Sequence, residues 1–172
     1  MTEDELIAAV LARAGRLRRF ALHLCGDADV AEDLVQDALI RALGARKSLR
    51  DPGLVVPWFF SIIRRVFLDQ RRRTEHRSRI AEAQLAVDPS ATGNLEMEIV
   101  GRGFSDEVSR ALGELPEEWR TTILLCDVEG FSYQEIAETM ACPMGTVRSR
   151  IARGRAQLLA ALRSHAGAGV CK

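Results

Sequence analysis

The sequence predicts an all-α protein: two small helical domains joined by a flexible acidic linker, the second containing a helix-turn-helix. Three observations carry that prediction. Alanine, leucine and arginine, all strong helix formers, dominate the 172 residues, and no segment shows the alternation of a half-buried strand. Apolar residues recur at helical spacing through both halves of the chain. Between the halves, from Leu85 to Glu107, periodicity lapses in a stretch with five acids and one base, containing glycine and proline.

Taken in order, Leu6, Val10, Leu17, Phe20 and Leu24 line one face of a predicted helix from Glu3 to Leu24. Gly26 suits its end, and Asp27 or Asp29 suits the cap of the next helix. That second helix, Val30 to Ala45, is expected to bury Leu34, Val35, Ala38, Leu39 and Ala42. "RDPGLVVP" reads as a loop with a turn at Pro52-Gly53. Pro57 suits the first turn of a third helix running through "WFFSIIRRVFLDQRRR", with a weaker helical segment on to Ala86. In the second half, Pro116 starts a helix that ends at Gly130. "SYQE", Ser132 to Glu135, is a capping box opening a short helix to Met140. The turn "ACP" and a longer basic helix follow.

A short capped helix, a tight turn and a basic helix make a helix-turn-helix. From Cys142 to Arg163 the chain holds five arginines and no acid, although its 24 basic and 24 acidic side chains balance overall. Solvated helices usually alternate charge signs, so an acid-free helix points to an anionic partner rather than to water. Val147, Ile151, Gly154 and Leu158 form the stripe expected to pack on Ile136, Ala137 and Met140, with Ala137 small where the helices cross. Gly145, Ser149, Ala152 and Arg153 then face outward, flanked by Thr146, Arg148 and Arg150. Small residues let a helix enter a DNA groove while guanidiniums reach base edges or phosphates. The predicted contact set is Thr146, Arg148, Ser149, Arg150, Arg153 and Arg155.

A second basic segment, Trp58 to Arg79, contains seven arginines and two acids. It sets Trp58, Phe59 and Phe60 beside a loop containing Lys47 and Arg50. Rings that stack bases beside guanidiniums that meet phosphates are the combination that holds a single strand. Helical spacing equally allows Trp58 and Phe59 to be core residues.

Other functions are disfavoured. The longest apolar run, Leu54 to Ile63, is half a membrane span and is interrupted by Pro57. The N-terminus is acidic where an export signal would be basic, so a cytoplasmic location without membrane insertion is expected. Cys25, Cys126, Cys142 and Cys171 are scattered, with no histidines at ligand spacing, so neither a metal nor a cofactor is expected. There is no phosphate-binding loop or catalytic constellation, and Glu117-Glu118 reads as first-turn charge on a helix.

The stretches "GDADVAEDLVQDALIRAL", "WFFSIIRRVFLDQRRR" and "LGELPEEWRTTILLCDVEGFSYQEIAETMACPMGTVRSRIARGRAQLL" resemble bacterial sigma factors of the extracytoplasmic-function (ECF) type, in the sigma-70 family. The resemblance implies a first domain over 1–86, a linker over 87–105, a second domain over 106–164 and a disordered tail over 165–172. It implies docking on core RNA polymerase through Asp33, Leu34, Gln36, Asp37 and Ile40. Promoter DNA would be opened at the minus-10 element by Lys47, Arg50, Trp58, Arg64, Arg65, Arg71 and Arg72, and read at the minus-35 element by the basic helix. It also implies an anti-sigma factor, often membrane-bound in the family, that clamps both domains. Two positions depart from the family pattern: Arg65 stands where asparagine is common, and Ala141 where glycine is common in the turn, so the turn must avoid positive φ or bear strain. The alternatives are a stand-alone helix-turn-helix regulator, which would dimerise on its operator, and a protein-interaction module that binds no DNA.

Overall fold

The computed structural model describes residues 2–49, 51–84 and 104–168. Among them are eight α-helices and no strand: α1 (Glu3–Leu11), α2 (Ala14–Cys25), α3 (Ala28–Ala45), α4 (Val55–Gln84), α5 (Asp106–Gly113), α6 (Glu117–Ile123), α7 (Tyr133–Met140) and α8 (Met144–Ala168). Most of the stretch expected to be a linker lies outside the described residues, as do Met1, Arg50 and 169–172.

The predicted first helix is two. Arg13 leaves helical geometry at φ −124°, its N–H bonds the Val10 carbonyl, and its guanidinium reaches the Ala9 carbonyl at 3.2 Å. The apolar stripe runs in phase from Leu6 to Leu24, so nothing in the periodicity marks the break. Thr2 and Glu5 form a capping box that starts α1. Gly26, at φ 78°, ends α2, and Asp27 accepts the Val30 N–H at 2.9 Å to cap α3. The two helical segments expected between Pro57 and Ala86 are one continuous α4. Arg41 of α3 donates to Asp69 of α4 at 2.8 Å, and that guanidinium holds the Asp69 carboxyl below its usual range.

In the second half, Ser105 caps the additional helix α5, and α6 ends in a π-helical turn at Leu124–Val128. The capping box is present as expected: Glu135 N–H bonds Ser132 Oγ at 3.2 Å, and Ser132 N–H bonds Glu135 Oε2 at 2.8 Å. Gly154 does not meet α7. A Cβ there would lie 2.6 Å from Ile123 Cδ1 and 3.3 Å from Trp119 Cβ, so glycine permits close packing of α8 on α6. The backbone of α8 stays helical to Ala168, beyond the expected start of a disordered tail at 165.

Ala141 occupies the left-handed region at φ 50°, ψ 48°, so the turn carries the strain that the sequence left open. A non-glycine residue pays about 1–2 kcal/mol there, of which the greater freedom of unfolded glycine returns about 0.4–1 kcal/mol. Ala141→Gly should therefore stabilise the protein by about 0.5–1 kcal/mol in urea denaturation. A destabilised variant would show that the turn is not left-handed in solution.

The two halves share one continuous core. Phe60 of α4, fully buried, packs on Phe20 of α2 at 4.7 Å between ring centroids and edge-on against Phe131 of the second half at 5.1 Å. The domains thus lie against each other, α7 across the N-terminal half of α4 and α6 near α2.

Candidate nucleic-acid interface

Burial of Val147 and Ile151 against the core turns the opposite side of α8 to solvent, where Gly145, Arg148, Ala152 and Arg153 are exposed. Thr146 and Ser149 are half-buried, and Ser149 Oγ donates to the Thr146 carbonyl at 2.9 Å. The predicted arginines divide into two kinds. Arg148 and Arg153 have no ion-pair partner among the described residues. Arg150 is paired with Glu118 of α6 and also donates to Cys142 Sγ at 3.5 Å. Arg155 grips Asp127 through both of its carboxylate oxygens, Nε to Oδ2 at 3.0 Å, which holds the Asp127 carboxyl below its usual range and raises the guanidinium above its own. The basic helix contains no acid, yet acids from α6 and the π-helical turn that ends it neutralise half of its face. Sequence spacing of about thirty residues hid that pairing.

On α4, Phe59 and Phe60 are buried core residues, so neither is available for stacking bases. Trp58 is half-buried beside a cleft of about 280 Å³ that it shares with Leu49, Asp51 and Ser61 from the first half and Glu138 and Thr139 from α7. Lys47, Arg65, Arg71 and Arg72 are exposed, with Arg71 on Glu75 at 3.0 Å. Arg50 lies outside the described residues. Arg64 turns inward: Nε and Nη2 donate to the two carboxylate oxygens of Glu117 at 3.1 and 3.2 Å, and the side chains are only 15% and 8% exposed.

On α3, Asp33, Gln36, Asp37 and Ile40 fall on one exposed stripe, with Ile40 68% exposed among acids. Asp37 accepts from Gln70 of α4 at 3.1 Å. Leu34, expected on this surface, is instead fully buried in the helical core, because the helical turn that exposes Asp33 and Asp37 directs position 34 inward.

The seam between the halves carries charged residues that no local pattern marked. Arg16 of α2 donates from Nε to Glu129 Oε2 at 2.8 Å and from Nη2 to the Glu129 carbonyl at 2.9 Å, 113 residues away. The Glu129 side chain is 3% exposed. Arg120 Nη2 reaches the Leu24 carbonyl at 3.3 Å, while its Nε is buried without a partner, and burial lowers the guanidinium's affinity for its proton. His23 stacks on Phe104 at 4.8 Å, held below its ordinary value by burial and by Arg19 and Arg120. Thr139 Oγ1 donates to the Pro57 carbonyl at 3.4 Å in a buried contact.

Among the described residues no cluster of His, Cys, Asp and Glu could hold a metal, and no helix is long and apolar enough to cross a membrane. Cys25, Cys126 and Cys142 are half-buried free thiols, with burial pushing Cys25 and Cys126 upward.

Comparison with known proteins bears on both halves. Residues 10–77 match the family profile described as Sigma-70 region 2, and 105–158 match Sigma-70, region 4. The ECF RNA polymerase sigma factor EcfG of Rhodopseudomonas palustris is 37% identical over 164 residues, covering 92% of this chain and 86% of the relative. The ECF RNA polymerase sigma factor SigE of Mycolicibacterium smegmatis is 38% identical over 94% of this chain and 62% of its own length. Among solved structures, the sigma factor RpoE of Bartonella quintana, crystallised with the anti-sigma factor NepR, superposes with a TM-score of 0.74 at 30% identity, covering 91% of this chain and 95% of that one. CnrH, in complex with the cytosolic domain of CnrY, shares the fold at a TM-score of 0.64 and 23% identity, over 92% of this chain and 88% of that one.

Proposed function

The chain belongs to the ECF sigma factors of the sigma-70 family, and from that membership we propose that it binds core RNA polymerase and directs it to a small set of promoters. The exposed stripe Asp33, Gln36, Asp37 and Ile40 docks on the polymerase. The loop after α3 and the face of α4, through Lys47, Arg50, Trp58, Arg64, Arg65, Arg71 and Arg72, engage the minus-10 element as it opens. The basic helix α8 reads the minus-35 element as duplex. The chain supplies no chemistry of its own, works in the cytoplasm, and is held in check by an anti-sigma factor, as the NepR complex of a 30%-identical relative supports. The observation that carries this reading is an exposed helix-turn-helix face with two arginines unpaired among the described residues, on the same chain as the exposed acidic stripe of α3. A stand-alone regulator would have no use for that stripe.

The test is run-off transcription with purified core polymerase on genomic promoter fragments, with and without the protein. New transcripts that require it support the reading; none, with tight operator binding in the absence of polymerase, would replace it with a stand-alone regulator. Within that assay, Arg148→Ala or Arg153→Ala should weaken minus-35 binding by about 1–3 kcal/mol where the residue reads a base. A loss equal on all sequences would mean phosphate contact alone. Arg155→Ala should cost less, because its guanidinium must first leave Asp127.

A further inference from the structure

Two acids outside α8 set how much charge that helix offers to DNA. Gly154 lets α8 pack closely on α6, and at that approach Glu118 of α6 and Asp127 of the π-helical turn reach its arginines. In the turn the Glu129 N–H bonds the Leu124 carbonyl, five residues back, at 3.0 Å, and such departures from α geometry recur at functional sites. Arg155 directs Nε and Nη2 to the two Asp127 oxygens, and Nη2 also lies 3.8 Å from Cys126 Sγ. The clamp holds the Asp127 carboxyl below its usual range, so its charge is present at neutral pH. Arg150 is tied to Glu118 through Nη2 and to Cys142 Sγ through Nη1, the latter at 3.5 Å.

The fold does not depend on these pairs. Glu118 and Arg155 are more than half exposed, and exposed ion pairs contribute little stability. Their effect is on the field of α8. Each carboxylate cancels one guanidinium, which leaves Arg148 and Arg153 as the arginines of the helix-turn-helix face unpaired among the described residues.

We propose that Glu118 and Asp127 are positioning residues that act as a charge brake: they hold Arg150 and Arg155 off the DNA backbone, keep affinity for non-promoter DNA low, and leave the choice of site to Arg148 and Arg153. This deepens, and rests on, the reading of α8 as the minus-35 helix. Each phosphate neutralised releases counterions and adds affinity that carries no sequence information. Non-promoter DNA vastly outnumbers promoters, so such affinity dilutes the protein over the wrong sites. On non-promoter duplex a released guanidinium takes whichever register brings a phosphate within reach. On the minus-35 element Arg148 and Arg153 fix the register, so release adds less there.

The experiment uses holoenzyme reconstituted from core polymerase and the full-length chain. Its affinity is measured across a salt series on a promoter fragment found by run-off transcription and on the same fragment with the minus-35 element scrambled. The phosphate contacts of the core are common to every variant and cancel in the comparison. Asp127→Asn and Glu118→Gln keep side-chain shape and remove charge. On the scrambled fragment each should steepen the slope of log affinity against log salt by about 0.9, and raise affinity about fivefold at about 0.15 M salt. The rise on the promoter should be smaller, so selectivity falls. Adding Arg155→Ala to Asp127→Asn should return the slope to the wild-type value, which a variant that had merely loosened the fold would not do. An unchanged slope in either single variant, or an equal rise on both fragments, overturns the brake. So does weaker promoter binding without a steeper slope, because the acids would then aim the arginines at bases. A wild-type holoenzyme that treats both fragments alike and yields no transcript sinks the minus-35 reading and the brake with it. A selective wild type with unchanged variants sinks the brake alone.

Discussion

Phe60→Ala is expected to cost about 3–5 kcal/mol, as full truncation of a buried aromatic does. The ring is fully buried and stands between Phe20 of α2 and Phe131 of the turn before α7, so its removal empties space lined from both halves. With domain stabilities of about 5–15 kcal/mol, that is a large share of the whole. The loss should be felt in both halves, because Phe60 belongs to the first domain and Phe131 to the second. Phe131→Ala should cost less, since Phe131 keeps slight exposure and touches Phe60 edge-on. Urea unfolding followed by circular dichroism measures both. A penalty below about 1 kcal/mol for Phe60→Ala would mean that the aromatic contacts at the seam are absent in solution.

The helical content, the capping box at Ser132, the αL glycine at Gly26 and the buried stripe of Val147 and Ile151 were legible in the sequence because each is a local rule. Helical period, N-cap chemistry and glycine's tolerance of positive φ act within a few residues. The break at Arg13 escaped because the apolar stripe continues through it, and α5 because eight residues beside an irregular stretch give little periodicity. Gly154 lay on the predicted stripe, but its neighbour is Ile123 of α6, a fact of tertiary packing. The division of the arginines was equally hidden. Arg150 and Arg155 meet acids on another segment, and Arg64 and Arg16 meet acids in the other domain. An acid-free helix shows its own charge but not its partners.

Asp37→Arg should abolish promoter-specific transcription while leaving the protein folded and its minus-35 binding intact. Asp37 is exposed on α3, and its single hydrogen bond, from Gln70, is itself exposed, so charge reversal costs the fold little. A docking surface is different. Replacing a carboxylate by a guanidinium where a partner presents bases puts like charges together, worth several kcal/mol, and about 3 kcal/mol is more than a hundredfold in affinity. Neighbouring Ile40, 68% exposed, would supply apolar contact at the same place, so Ile40→Ala should weaken docking without the electrostatic component. The two variants then differ in salt dependence: the Asp37→Arg deficit should shrink as salt screens it, and the Ile40→Ala deficit should not. Polymerase pull-down across a salt series, beside duplex binding by the free chain, reads both. Equal loss of polymerase and duplex binding in Asp37→Arg would remove the docking assignment from α3, because a residue on that stripe has no route to the DNA face of α8 except through global unfolding.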